Sequence, residues 1–335
     1  MRAPSFWWRE RNAPATLLTP IAAIYGAIAA RRLEQKGRKA AVPVICVGNL
    51  TLGGAGKTPT ALAIARLLIA AGERPVFLTR GHGGSLAGPI RVDPARHDAT
   101  AVGDEPLMLA RVAPTIAAVD RVQGAEAACA AGASVIVMDD GFQNPSLVKD
   151  LAILVVDGRR GIGNGRVFPA GPLRAPLDRQ LRRAQAMLVV GAATGAESLV
   201  GLAQKTGLRI FRGRLAPDRD VVAALAGHKV LAFAGIGDPD KFFLTLEQAG
   251  IEAPVRRAFA DHHRYAAVEA AFLLAEADRQ GLVPVTTEKD VMRLSGSPDL
   301  AELARRAKAL PVSLVLDEPQ EFRKCFLDAL SGAGL

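Results

Sequence analysis

Residues 46 to 60, CVGNLTLGGAGKTPT, set an apolar strand, a glycine-rich turn, a Gly-Lys-Thr triplet and a helix start in immediate succession. No other stretch of the chain constrains its fold as strongly. Glycines let backbone N–H groups converge where side chains would block a phosphate, and a helix N-terminus adds the positive end of its dipole. Gly53, Gly54, Ala55, Gly56, Lys57 and Thr58 are the candidate nucleotide cradle. Lys57 has the reach for the β- and γ-phosphates of ATP, and the Thr58 hydroxyl suits Mg2+. The strict pattern GxxxxGK(S/T) asks for glycine at position 51, where this chain has Thr51, so Gly53, Gly54 and Gly56 must do the turning. The competing reading is a glycine-rich turn that holds no nucleotide.

The rest of the chain suits such a loop. Apolar runs at 43–47, 75–78, 115–119, 134–138, 151–156 and 186–190 alternate with helical segments such as 60–71 and 125–131. Short buried strands separated by helices imply an α/β fold with a parallel sheet covered on both faces. The pattern restarts after residue 215, with strand candidates at 229–233, 254–256, 282–285 and 312–316 and helices at 240–249 and 266–278. The expected organisation is therefore an N-terminal region 1–40, a P-loop domain 41–217 and a smaller α/β domain 218–335 that closes a cleft.

Asp139 and Asp140 follow the apolar run VIVM, at the carboxyl end of a strand where ligands bind in open α/β sheets. One of them is expected to hold Mg2+ together with Thr58; a turn or capping role is the alternative. Asp104 and Glu105 open a helix, either as an ordinary acidic first turn or with Asp104 as general base for a hydroxyl. The Asp261-His262-His263 run reads as packing or as an Asp–His pair activating a hydroxyl. Arg174, in PAGPLRAP, is a phosphate clamp or a surface arginine.

Residues 13–30 carry no charge, yet Pro14 and Pro20 interrupt them and they fall short of the roughly 20 strongly apolar residues of a spanning helix. Phe6, Trp7 and Trp8 precede the stretch; Arg2, Arg9 and Arg11 lie before it and Arg31, Arg32, Lys36, Arg38 and Lys39 after it. That layout fits an interfacial helix, with aromatics at headgroup level and basic residues near anionic lipid; a helix packed wholly on the core is the alternative. The net charge of +9 calls for an anionic partner. Nucleic acid is not expected, because aromatic residues are only 5% of the chain and no recognition motif appears. Cys46, Cys129 and Cys325 form no metal or disulfide pattern.

GNLTLGGAGKTP, GDEP, DDGFQ, PAGPLR, AFAGIGDP, DHH and TTEKD occur in an order that resembles the tetraacyldisaccharide 4′-kinases, the lipid A kinases of Gram-negative bacteria. The resemblance runs over nearly the whole chain. It implies two α/β/α domains joined by a small β element, with the site in the cleft. It further implies transfer of the γ-phosphate of ATP, with Mg2+, to an acylated glucosamine disaccharide 1-phosphate at the cytoplasmic face of the inner membrane. By position, Lys57 and Thr58 match the P-loop pair, Asp104 the catalytic base and Glu105 its acidic neighbour. Asp139 and Asp140 match the metal-site pair, His262 the base's partner and Arg174 an arginine near the phosphates. Where the family often has Glu after the arginine and His after DDGFQ, this chain has Ala175 and Asn144, and the motif Thr79-Arg80-Gly81-His82-Gly83 lacks the family's usual Tyr. No obligate protein partner is evident. The competing functions are a membrane-docked P-loop switch, whose loop would carry a lysine where Leu52 stands, and a soluble small-metabolite kinase without need of the N-terminal segment.

Overall fold

Apolar runs that alternate sides every residue become strands covered on both faces. Within the first of them, β1 (Val44–Asn49), Val44 and Cys46 enter one core while Ile45 and Val47 enter the other. The computed structural model describes residues 3–9 and 12–332; Arg2 and Arg11 of the basic flank lie outside the described residues. The strands that follow are β2 (Pro75–Thr79), β3 (Ile90–Arg91), β4 (Thr115–Ala117), β5 (Val135–Asp139), β6 (Leu151–Asp157), β7 (Ala186–Val190) and β8 (Arg209–Pro217). The series continues with β9 (Val230–Ala234), β10 (Val255–Ala258), β11 (Val283–Thr286), β12 (Lys308–Ala309) and β13 (Val312–Leu316).

They build two sheets, β13-β8-β7-β6-β1-β5-β2-β4-β3 and β10-β9-β11-β12. The small sheet is wholly parallel, and the large one is parallel except at its edge strands β13 and β3. Strand order reverses about β1, with β2, β4 and β5 on one side and β6 to β8 on the other. The glycine-rich loop leaves β1 at that switch point, where a crevice opens beyond the carboxyl ends of the strands. Helices Lys57–Ala70 and Pro319–Leu330 supply Ile64, Leu68, Phe322 and Phe326 to one face of the large sheet. Helices Arg121–Ala130 and Glu197–Lys205 supply Ala128 and Leu199 to the other. The small sheet has the same three layers: Ala232 and Phe243 lie on one side, Phe233 and Leu273 on the other.

Two features depart from the sequence reading. The strand at 312–316 and the closing helix do not stay with the second domain. β13 pairs antiparallel with β8, and Phe322, Cys325 and Phe326 are fully buried in the core under β1 and β7. The chain thus leaves the large sheet along β8 and returns beside it along β13, so the link between the two units is a two-stranded ribbon. β8 itself was not among the expected strands, and it runs up to the expected boundary at 217. Its sequence RIFRGRLAP alternates arginine with apolar or small residues, as suits a strand near a sheet edge.

The second departure concerns Trp7, which is not an interfacial aromatic. It is buried, its Nε1 donates to the Pro169 carbonyl at 3.0 Å, and its ring meets Phe168 edge-on. Trp8 lies half-buried under the Arg160 guanidinium. These rings anchor the N-terminal segment to residues 160–169. Helix Thr19–Leu33 then lies on the protein through its small residues, Ala22 and Gly26, and through Leu33. Its large apolar residues, Ile21, Ile24 and Ile28, point away from the core with Leu17. No helix among the described residues is long and apolar enough to cross a membrane.

Candidate active site

The loop after β1 is held from below. Asn49 Nδ2 donates to the Thr51 carbonyl at 2.6 Å and to the Gly53 carbonyl at 3.1 Å. Leu52 N donates to the Pro172 carbonyl, Arg174 N to the Leu50 carbonyl, and Thr51 bridges Leu173. The first half of the loop is therefore an extended strip paired with the PAGPLR segment. That is why threonine serves at position 51: the left-handed turns come later, at Gly53 (φ 106°) and Gly56 (φ 94°), where a side chain would be strained. Gly53 and Gly54 face open space, and helix Lys57–Ala70 starts directly after Gly56.

Thr58 and Asp139, at the end of β5, are brought together by the sheet: the Thr58 hydroxyl donates to Asp139 Oδ2 at 3.0 Å. Asp139 Oδ1 is buried without a hydrogen-bond partner. Burial and the nearby Glu105 charge push the Asp139 carboxyl up to about 7. Asp140 turns elsewhere. It adopts a left-handed backbone (φ 54°), and its two oxygens take Arg174 Nη1 at 3.0 Å and Nη2 at 3.3 Å, with Lys57 Nζ 3.8 Å away. Burial pushes the Lys57 ammonium down, and Asp140 opposes that. Arg174 also donates through Nε to the Thr51 carbonyl, so one guanidinium ties the DDGFQ turn to the glycine-rich loop. Glu105 points at Lys289 Nζ, 2.5 Å away. Among the described residues no three His, Cys, Asp or Glu side chains converge as a ready metal cluster.

Asp104, buried at the start of helix Asp104–Ala110, meets residues of the second sheet's unit. His262 Nδ1 lies 3.5 Å from Asp104 Oδ1, whereas His263 pairs with Glu269 at 2.8 Å and stacks on Phe259. His262, not His263, thus faces the carboxylate. Burial opposes ionisation of Asp104, yet His262, Lys289 and Arg293 outweigh it and hold the carboxyl well below the usual range. The same neighbour pushes His262 above its ordinary value, against burial. The His82 ring sits edge-on to His262 at 5.1 Å.

Lys57, Thr58, Asp104, Glu105, Asp139, Asp140, Arg174 and His262 are therefore one linked group, in which the Glu105 and Lys289 charges act on both Asp104 and Asp139, and the roles of Asp139 and Asp140 are divided between hydroxyl and guanidinium partners. The sequence reading missed Lys289 and Arg293. The TTEKD run was visible, and lysine and arginine four residues apart share a helix face, but nothing local says that this face meets Asp104 and Glu105. It also missed a second crossing contact. Asp238 takes Arg159 and Arg160 at 2.9 Å each, and Lys241 takes Asp157 at 2.9 Å, so both units contribute a buried carboxylate to the other's cations.

Residues 14–331 match the family profile described as tetraacyldisaccharide-1-P 4′-kinase. The tetraacyldisaccharide 4′-kinase of a Rhodopseudomonas palustris strain is 54% identical over 333 residues, covering 99% of this chain and 97% of its own. That of a Methylobacterium species is 59% identical over 312 residues, covering 93% of this chain and 94% of its own. The crystal structure described as "apo" form LpxK from Aquifex aeolicus in complex with ATP is similar over 95% of this chain and 100% of that one, with a TM-score of 0.72 and 26% identity.

Proposed function

The chain belongs to the tetraacyldisaccharide-1-P 4′-kinase family, and from that premise we propose how its own residues carry the reaction. It is an ATP-dependent kinase of lipid A biosynthesis that phosphorylates the 4′-hydroxyl of a tetraacylated glucosamine disaccharide 1-phosphate. The observation that carries the residue assignment is that the Thr58–Asp139 pair, the Lys57 ammonium and the Asp104–His262 pair are electrostatically linked through Glu105 and Lys289.

The backbone amides of Gly53 to Thr58 and the Lys57 ammonium receive the ATP phosphates. The unpartnered Asp139 Oδ1 beside the Thr58 hydroxyl is an all-oxygen donor set that suits Mg2+, which keeps one or two carboxylates and completes its shell with phosphates and water. Thr58 and Asp139 would hold the ion, whereas Asp140 and Glu105 are drawn to Arg174 and Lys289. When bound, Mg2+ neutralises charge on the transferring phosphate. Arg174 keeps the glycine-rich loop and Asp140 in register beneath the phosphates. Asp104, held ionised by its cationic neighbours, accepts the 4′-hydroxyl proton; His262 orients it and offsets its charge. Phosphoryl transfer is mostly positioning and charge stabilisation, so a carboxylate of weak basicity suffices.

The acceptor's acyl chains call for a lipid surface. The exposed apolar face of helix Thr19–Leu33, continued by exposed Arg31, Arg32, Lys36 and Lys39, suits an anionic bilayer surface. ATP as donor sets the enzyme at the cytoplasmic face of the inner membrane, without a spanning helix in this reading.

The test is turnover of labelled ATP with a tetraacyl glucosamine disaccharide 1-phosphate in mixed micelles. Asp104→Asn is expected to lower kcat about 10²–10⁴-fold while KM for ATP holds; an unchanged kcat rejects the base assignment. Asp139→Asn is expected to raise the half-saturating Mg2+ concentration about tenfold or more, and an unchanged Mg2+ dependence removes Asp139 from the metal site.

A further inference from the structure

Asp104 is a buried carboxylate on the large sheet's unit, and most of what touches it comes from the other unit. Its two oxygens are used differently. Oδ1 accepts the Glu105 backbone N–H at 3.0 Å and lies 3.5 Å from His262 Nδ1. Oδ2 is taken by Arg293, which donates through Nε at 2.9 Å and through Nη2. Both donors of the planar fork converge on one oxygen, so Arg293 fixes the place of Oδ2, and the Glu105 N–H and His262 on Oδ1 complete the hold on the carboxylate's orientation.

Arg293 is itself braced. Its Nη1 donates to Asp290 Oδ1 at 2.8 Å and to the Gly235 carbonyl at 2.7 Å. Asp290, fully buried, also accepts the Gly235 N–H at 3.0 Å, the Tyr265 hydroxyl at 2.9 Å and the Thr287 hydroxyl at 2.6 Å. The same Gly235 carbonyl accepts the His262 backbone N–H at 3.0 Å, while His262 holds a left-handed backbone (φ 54°). One carbonyl oxygen therefore sets both the arginine that grips Asp104 Oδ2 and the histidine that faces Oδ1. A Cβ at position 235 would lie 3.0 Å from Asp290 Oδ1 and His263 Cβ and 3.2 Å from Arg293 Nη1, so a larger residue there would press on the network.

We propose that Arg293, braced by Asp290 and the Gly235 carbonyl, is the positioning residue that aims Asp104 at the acceptor hydroxyl, and that it does so only while the two units stand together across the cleft. This rests on the reading of Asp104 as the base. The guanidinium spans the boundary, so the carboxylate has its working orientation when the second unit is docked and loses it when that unit is displaced. The arrangement couples acceptor-side closure to catalysis without adding a group that touches substrate. It also explains why the base lies in a helix first turn, where its own unit leaves Oδ2 without a side-chain donor.

The test is a cycle of Arg293→Met, Asp104→Asn and the double variant in the full-length chain, read as kcat and KM for ATP and for the acceptor. Arg293→Met is expected to lower kcat about tenfold to hundredfold, part of the 10²–10⁴ range of a general base, with KM for ATP within about threefold. On the Asp104→Asn background the same change is expected to cost nothing further, because Arg293 acts through Asp104. Guanidinium at about 50 mM is expected to restore several-fold activity to Arg293→Ala and none to the double variant. A kcat loss of equal size on both backgrounds, or wild-type kcat in Arg293→Met, overturns the proposal. Wild-type kcat in Asp104→Asn alone overturns the base reading instead. Should Arg293→Met fold poorly with two buried carboxylates exposed to each other, Arg293→Lys keeps the charge but only one donor point. It is expected to retain KM for ATP and lose kcat, and full kcat there counts against the two-point grip.

Discussion

Removing the outward apolar face of the N-terminal helix puts a number on the membrane reading. Ile21 is 58% exposed, Ile24 67% and Ile28 57%, an unusual set for a helix that already packs its small residues inward, and Leu17 at the end of the preceding helix is 79% exposed. Fully burying an aliphatic side chain of this size is worth about 1.5–3 kcal/mol. Scaled by these exposures, Ile21 and Ile24 each stand to gain about 1–2 kcal/mol on entering a lipid surface. The double change Ile21→Ser, Ile24→Ser therefore removes about 2–4 kcal/mol, and at 1.4 kcal/mol per decade that is roughly 30- to 700-fold weaker partitioning. The assay is flotation with phosphatidylethanolamine–phosphatidylglycerol vesicles at fixed salt. Both side chains point away from the core, so thermal stability is expected to move by no more than about 0.5 kcal/mol. The companion change Arg31→Gln, Arg32→Gln is expected to weaken binding by about 1 kcal/mol per charge on anionic vesicles only. Partitioning of the Ile21/Ile24 variant within threefold of the parent chain would refute the argument, since the exposed area would then be doing nothing at the bilayer.

Three further outcomes follow from the site and the core. Lys57→Met is expected to cut turnover at least about 10²–10³-fold, the scale for loss of one charge-stabilising donor, and near-normal turnover in the micelle assay defeats the P-loop reading. His262, raised by Asp104, is expected to fall toward an ordinary value of about 6.5 in Asp104→Asn by 15N-histidine NMR titration. Because its folded value is raised, His262 stabilises the fold fully below about pH 6.5, and that contribution fades as pH rises through the folded value; an unmoved titration in the variant contradicts the pairing. Phe322→Ala, which empties a fully buried site against Phe211 and Phe326, is expected to cost about 3–5 kcal/mol. Hydrogen exchange is expected to quicken in β8 and β13, and quickening confined to the small sheet rejects the placement of the closing helix.

What could be read from residues was whatever local chemistry dictates. Gly56-Lys57-Thr58 after an apolar run specifies a strand, a left-handed glycine and a helix start because each step is set by the backbone of a few neighbouring residues. Asp139 and Asp140 could be assigned to a strand end for the same reason. Trp7 illustrates the opposite case. An aromatic pair beside an apolar helix looks interfacial until a distant carbonyl, that of Pro169, takes its indole N–H. β8 hid because its arginines at 209, 212 and 214 break up the apolar run by which the other strands of the large sheet were recognised. The closing helix went to the wrong unit because a hydrophobic face states that it must be buried and not which sheet will bury it.

The sequence by itself determined an α/β chain with a phosphate loop at a strand end, a carboxylate pair beside it and a family membership that the whole motif order carries. Those are properties of short backbone segments and of residue types at fixed spacing. Only the tertiary structure decided that Asp139 takes the Thr58 hydroxyl while Asp140 takes Arg174, and that His262 rather than His263 meets Asp104. It alone brought Arg293 and Lys289 across the cleft to the acidic start of a helix nearly two hundred residues away. Charges that close in space find one another through the sheets that carry them, and a buried carboxylate takes whichever cation the folded chain delivers.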